Sequence, residues 1–113
     1  MNNVEKGQKG EKLASLYLRL HLYKILDRNY RAKTGEIDIV AKKGTYIVFV
    51  EVKYRTSVNK GYPREAVTPF KQNQIRRTAM VYLMDKNLTD YDVRFDVIEI
   101  IGNNIEHIKN AFW

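Results

Sequence analysis

The chain predicts an α/β fold with the element order αβββαββ, and three observations carry that expectation. Apolar residues recur at helical spacing through 10–23, and "GEIDIVAKKGTYIVFVEVKYR" at 35–55 reads as two strands around a glycine-containing turn. Thr68-Pro69 then opens a second run at helical spacing, and two more short branched segments close the chain.

In the first helix, "GEKLASLYLRLHLY", Leu13, Leu16, Tyr17 and Leu20 form an amphipathic stripe. The segment 24–32 is short, branched and bounded by the turn signal "KTG", so it predicts the first strand. The hairpin of 35–55 supplies the second and third, and the irregular "TSVNKGYPREAV" follows. Thr68 is a fitting N-cap and Pro69 a fitting first helical residue for a helix ending near Asn87. "VRFDVIEII" at 93–101 reads as the fourth strand, "GNN" as a tight turn and "IEHIKNAF" as a terminal strand.

With 113 residues and 44% hydrophobic content, the expectation is one domain spanning 1–113 around a single core. No run of 18 apolar residues occurs, and "MNNVEKGQKGEK" lacks the apolar stretch of a signal peptide, which predicts a cytoplasmic protein without a membrane partner. Zero cysteines exclude disulfides, thiolate nucleophiles and cysteine zinc sites. Twenty Lys and Arg against 13 Asp and Glu leave a net charge of +7, which suits a polyanionic partner.

The hairpin carries Glu36, Asp38, Glu51 and Lys53 inside otherwise apolar strands. Burying a carboxylate without a partner costs on the order of several kcal/mol, comparable to the net stability of a small domain. A two-residue turn at Lys43-Gly44, or a four-residue loop over 42–45, sets Asp38 opposite Phe49 and Glu36 opposite Glu51. All four charges then share a face, with Asp38 and Glu51 diagonal neighbours. Two converging carboxylates resist joint ionisation unless a cation sits between them. Two carboxylates, a backbone carbonyl such as that of Val52 and several waters are a coordination set that Mg²⁺ or Mn²⁺ accepts. Lys53 would bring positive charge to a scissile phosphate or an attacking water. A lone acid-x-Lys in a strand is ordinarily a surface pair worth about 0–1 kcal/mol. Here the apolar run "YIVFVEVKY" and the second acid on the neighbouring strand favour a metal site.

Asp38, twelve intervening residues and Glu51-Val52-Lys53 resemble the PD-(D/E)xK nuclease motif, with Ile37 in place of the proline. More broadly, "GQKGEKLASLYL", "GEIDIVA", "VFVEVKYR", "EAVTPFKQNQI" and "RFDVI" to "IEHIKNAF" resemble the YraN-like family nearly end to end. That family consists of small bacterial proteins predicted to be endonucleases related to Holliday junction resolvases. The resemblance implies a restriction-endonuclease-like core, a mixed central sheet flanked by helices. It implies metal-dependent hydrolysis of phosphodiester bonds in DNA, branched or structured DNA in particular, and a homodimer, because junction resolvases cut as symmetric pairs. It also brings in Glu11, which matches a first-helix glutamate that approaches the metal directly or through water. From the residues alone, Glu11 reads equally as a first-turn acid favoured by the helix dipole. Glu36 either joins the metal site or pairs with a neighbouring Lys or Arg.

Beyond the hairpin, Lys53, Arg55, Lys60 and Arg64 form an acid-free stretch suited to a phosphate backbone. Lys71, Arg76 and Arg77 on the second helix extend it, with Gln72 or Gln74 near the helix start. Tyr17, Tyr46 and Tyr82 sit at core-compatible spacing, leaving Tyr54 and Tyr62 as candidates for base stacking. His21 and His107 lack a nucleophile or metal-ligand pattern and read as surface or core residues. Asp96 is expected to pair with Arg94 or brace the sheet. Two other readings stay open: a non-catalytic DNA-binding or scaffolding domain with the same fold, and a nuclease acting on RNA, since no motif here encodes the groove-shape and 2′-hydroxyl contacts that tell the two apart.

Overall fold

The computed structural model describes residues 3–55 and 67–113. Its elements run α1 (Asn3–Leu20), β1 (Lys24–Ala32), β2 (Gly35–Lys43), β3 (Tyr46–Arg55), α2 (Pro69–Asp85), β4 (Asp92–Ile101) and β5 (Asn104–Phe112), in the expected order. The strands lie side by side in sequence order, with β3 and β4 parallel and the other neighbours antiparallel. A parallel pair needs a crossover, and α2 stands in the connection between β3 and β4. No helix among the described residues is long and apolar enough to cross a membrane.

One apolar cluster joins Ala14 and Leu18 of α1 to Ile39, Ala41, Val48, Val50, Ile98 and Ile100. The other joins Ile75, Ala79, Tyr82 and Leu83 of α2 to Val40, Ile47, Phe49 and Val97. Alternate residues of β3 and β4 therefore face different helices, and both strands are buried on both sides.

Two expectations need correction. Helix α1 begins at Asn3 rather than near residue 10, because its first turns are polar and exposed at Glu5, Gly7, Gln8 and Lys9 and offer no apolar period. The helix closes where Leu22 (φ 68) enters the left-handed region, with Tyr23 N–H bonded to Leu18 O at 2.9 Å and Leu22 N–H to Arg19 O at 3.0 Å. The hairpin register is also shifted by two residues. Lys43 pairs with Tyr46 across Gly44-Thr45, so Gly44 (φ +59), not Lys43, takes the first central position of the turn, where left-handed backbone is required. A shift of two preserves which face each residue occupies, but it moves Asp38 from a place opposite Phe49 to one in line with Glu51.

The second helix starts as expected: Thr68 Oγ1 accepts the Lys71 N–H at 3.2 Å and Pro69 is the first helical residue. Asp96 is fully buried and accepts hydrogen bonds from Arg94 Nε and Nη2 (2.9 and 2.8 Å), His107 Nε2 (2.7 Å) and Asn110 N (3.0 Å). Burial pushes its proton affinity up, but these donors outweigh burial and hold the carboxyl below its ordinary range. Tyr23 and Tyr17 complete the network through Arg94 Nη2 and His107 Nδ1, tying α1 and β5 to β4. His107 is thus a core residue, and His21 is exposed with Nδ1 2.8 Å from Tyr17 O. Tyr82 is buried as expected, whereas Tyr46, the first residue of the central strand β3, is 40% exposed.

Candidate active site

The β2–β3 ladder ends at Ile39 and Val50, and Asp38 Oδ2 accepts the Val52 N–H at 2.8 Å in place of a backbone carbonyl. The same point breaks the alternation of β2. Ile37 packs in the α2-side cluster, although Ile39 and Ala41, two and four residues on, belong to the α1 side. Asp38 therefore stands where the two strands part, lining a groove beside α1.

Glu51 follows Ile47 and Phe49 on the α2 side and is 9% exposed. The Glu51 pKa is pushed from an ordinary 4.5 up to about 8. Burial is the main cause, followed by the hydrogen bond to Asp38 and its charge; Lys71 and Lys53 pull the other way. Glu51 Oε2 is buried without a hydrogen bond, and Lys71 Nζ of α2 lies 3.5 Å from it.

Glu11 arrives from the α1 side. Because the helix begins at Asn3, Glu11 lies well past the first turn, and the dipole explanation of it falls away. It shares the buried face of Ala14, Ser15 and Leu18 and is 8% exposed. Gly10 permits this close seating: a Cβ there would stand 3.2 Å from Tyr54 Cβ. Burial first, then the Asp38 charge, raises the proton affinity of Glu11, opposed by Arg28 and a side-chain hydrogen bond from Asn29. Arg28 Nε is 3.7 Å from Glu11 Oε1, which has no hydrogen bond of its own. Glu11, Asp38, Glu36, Gln8, Asn29 and Arg31 line a groove of about 510 Å³. A second groove, of about 420 Å³, shares Arg31 and Glu36 and is lined further by Lys71 and Gln74.

The remaining candidates are distributed as follows. Glu36 is exposed and pairs with Arg31 at 3.2 Å, one of the two outcomes expected for it. Lys53 continues the Glu51 face of β3, opposite Glu99 of β4, and its charge favours ionisation of both acids. Arg55 forms a 3.1 Å ion pair with Glu99, whose carboxyl burial raises. Gln72 Nε2 donates to Val67 O (3.0 Å), and Arg76 donates to Trp113 O and Asn73 Oδ1 (both 2.7 Å). Tyr54 packs on the α1 side with Lys9 over its ring, so it is not a free stacking platform. Lys60, Tyr62 and Arg64 lie outside the described residues.

Arg28, Asn29 and Arg31 of β1 are site neighbours that periodicity does not reveal. The available signal was a polar "DRN" within a short strand; Asn29 adopts φ 54, a left-handed conformation that asparagine tolerates better than most residues.

No three carboxylate or imidazole groups among the described residues stand close enough to hold a metal by themselves. The donor set is nonetheless suited to a hard cation: two neighbouring carboxyls from adjacent strands, one of them with a buried oxygen that has no hydrogen bond.

A model of the uncharacterised protein family UPF0102 matches residues 10–100. A UPF0102 protein of Geobacter metallireducens is 53% identical over 116 residues, covering 99% of this chain and 95% of its own length. One from Geobacter sulfurreducens is 50% identical, covering 98% and 91%, and one from Clostridioides difficile is 49% identical, covering 99% and 100%.

Proposed function

We propose that this chain, which belongs to the UPF0102 family, is a metal-dependent endonuclease that hydrolyses phosphodiester bonds in DNA, with branched or otherwise structured DNA as its preferred substrate. The observation that carries the proposal is the pairing of Asp38 and Glu51. A buried Glu51 beside a half-buried Asp38 is costly for a metal-free protein, and the two stand where the strands part with Lys53 following on the same face. A purely structural pair would gain nothing from that cost.

Asp38 and Glu51 would hold Mg²⁺ or Mn²⁺ with the Val52 carbonyl and waters, Glu11 assisting through water, and the bound ion would polarise the phosphoryl group and acidify a bound water. Lys53 brings a positive charge to the transferring phosphate or the attacking water. Arg31 and Lys71 line the grooves beside the acids and are placed to meet flanking phosphates. The net charge of +7 suits a polyanion in the cytoplasm, and a mixed sheet with a helix on each face suits the restriction-endonuclease-like core that the sequence resembles.

The test is calorimetric titration of Mn²⁺ into wild type and Asp38→Asn, followed by incubation of both with linear, flapped and four-way DNA and with RNA. Binding and DNA cleavage by wild type, both lost in the variant, are expected. Metal binding with no cleavage would turn the reading toward a binding or scaffolding domain, and cleavage confined to RNA would change the substrate.

A further inference from the structure

We propose that Lys71 is the built-in counter-cation of the carboxylate pair, holding the place of the metal in the metal-free protein and exchanging it for a phosphate of the substrate when metal binds. This inference rests on the carboxylate site described above and adds to it a competition between a side chain and the ion.

Four observations carry it. Lys71 Nζ lies 3.5 Å from Glu51 Oε2, the buried oxygen that has no hydrogen bond. Glu51 and Lys71 come from different elements: Glu51 is fixed in a strand buried on both faces, while Lys71 sits on the first turn of α2. The Thr68 cap holds the lysine through its backbone, and among the described residues Glu51 is the ion-pair partner of its side chain, so breaking that pair leaves the helix start intact. Its side chain is 35% exposed, and the groove it lines also holds Arg31, Gly35, Glu36 and Gln74, so an ammonium released from Glu51 enters that groove without crossing the core.

The physics of exchange is direct. An ammonium and a divalent ion cannot both occupy a few ångströms around one buried carboxylate oxygen without mutual repulsion. Metal binding therefore expels Lys71, and the expelled charge finds compensation in a phosphate, so metal and substrate strengthen each other's binding by the same factor. A lysine is suited to this role because its ammonium is a compact charge on a flexible stem.

The experiment is calorimetric titration of Mn²⁺, without nucleic acid, into the full wild-type chain, Lys71→Met, Lys71→Arg and, as a control for overall charge, Lys86→Met, at low ionic strength. Lys71→Met removes the competitor and is expected to bind Mn²⁺ on the order of tenfold more tightly, with Lys71→Arg and Lys86→Met close to wild type; Lys71→Gln serves if the Met variant does not fold. Ca²⁺ titrations with and without a DNA duplex follow, in which DNA strengthens Ca²⁺ binding to wild type more than to Lys71→Met. Unchanged or weaker Mn²⁺ binding by Lys71→Met, with wild type binding well, overturns the exchange and leaves the metal site standing. Failure of every folded protein to bind Mn²⁺ overturns the metal site and the exchange together.

Discussion

Replacing Glu51 by glutamine keeps the shape and a donor toward Asp38 but removes the charge, so in the absence of metal it is expected to make the protein more stable at alkaline pH. In the folded state Glu51 releases its proton near pH 8, against an ordinary value of 4.5 in the unfolded chain. Between those values the folded protein binds more protons than the unfolded one, so stability falls as pH rises, and above about pH 8 the loss is complete. The interval, at about 1.36 kcal/mol per pH unit, gives about 5 kcal/mol as an upper bound, large against a total of about 5–15 kcal/mol. Glu11 and Glu99, whose proton affinities are also raised, contribute equally to wild type and variant and cancel in the comparison. Urea unfolding of both proteins in EDTA from pH 5 to 9 measures the difference. The two should be similar near pH 5, and the gap should widen in favour of Glu51→Gln up to about pH 8. A gap that stays constant, or that closes as pH rises, would refute the reasoning that burial beside Asp38 keeps Glu51 protonated.

If the pair gives up one proton on binding metal, Mn²⁺ affinity should rise about tenfold per pH unit until about pH 8. Calorimetry in two buffers of different ionisation enthalpy would count that proton. Asp96→Ala strands Arg94 and His107 in the core and is expected to cost about 3–5 kcal/mol, read from urea midpoints. Gly35→Ala should lower stability by about 1–2 kcal/mol in the same assay, since Gly35 holds φ +146 and a Cβ would stand 3.3 Å from Thr78 Oγ1 of α2.

How much of this was legible beforehand varies with the range of the forces involved. Strands, helices and turns followed from period and capping, which act over a few residues, and the N-cap at Thr68 and the glycine turns were found where those signals stood. The faces of the hairpin residues from Ile39 to Val50 were legible too, because any even shift of register preserves them. The break in alternation between Ile37 and Ile39, which overturns the expectation that Glu36 shares the face of Asp38 by simple alternation, was not. Nor was the actual register, since Lys43-Gly44 and Gly44-Thr45 both place a glycine in the turn and apolar residues face one another in either register.

The sequence by itself determined that acids and a lysine would interrupt apolar strands, and that Asp38 and Glu51 would share a hairpin. Only the tertiary structure decided what meets them. Glu11 reaches the site because Gly10 lets α1 settle against β3, Lys71 because the crossover to β4 brings the start of α2 over Glu51, and Arg28 and Asn29 because β1 lies along β2. These partners are far apart in the chain, and no local preference records them. They are fixed by burial of two apolar clusters on opposite faces of one sheet, which leaves the charged side chains together where the strands separate.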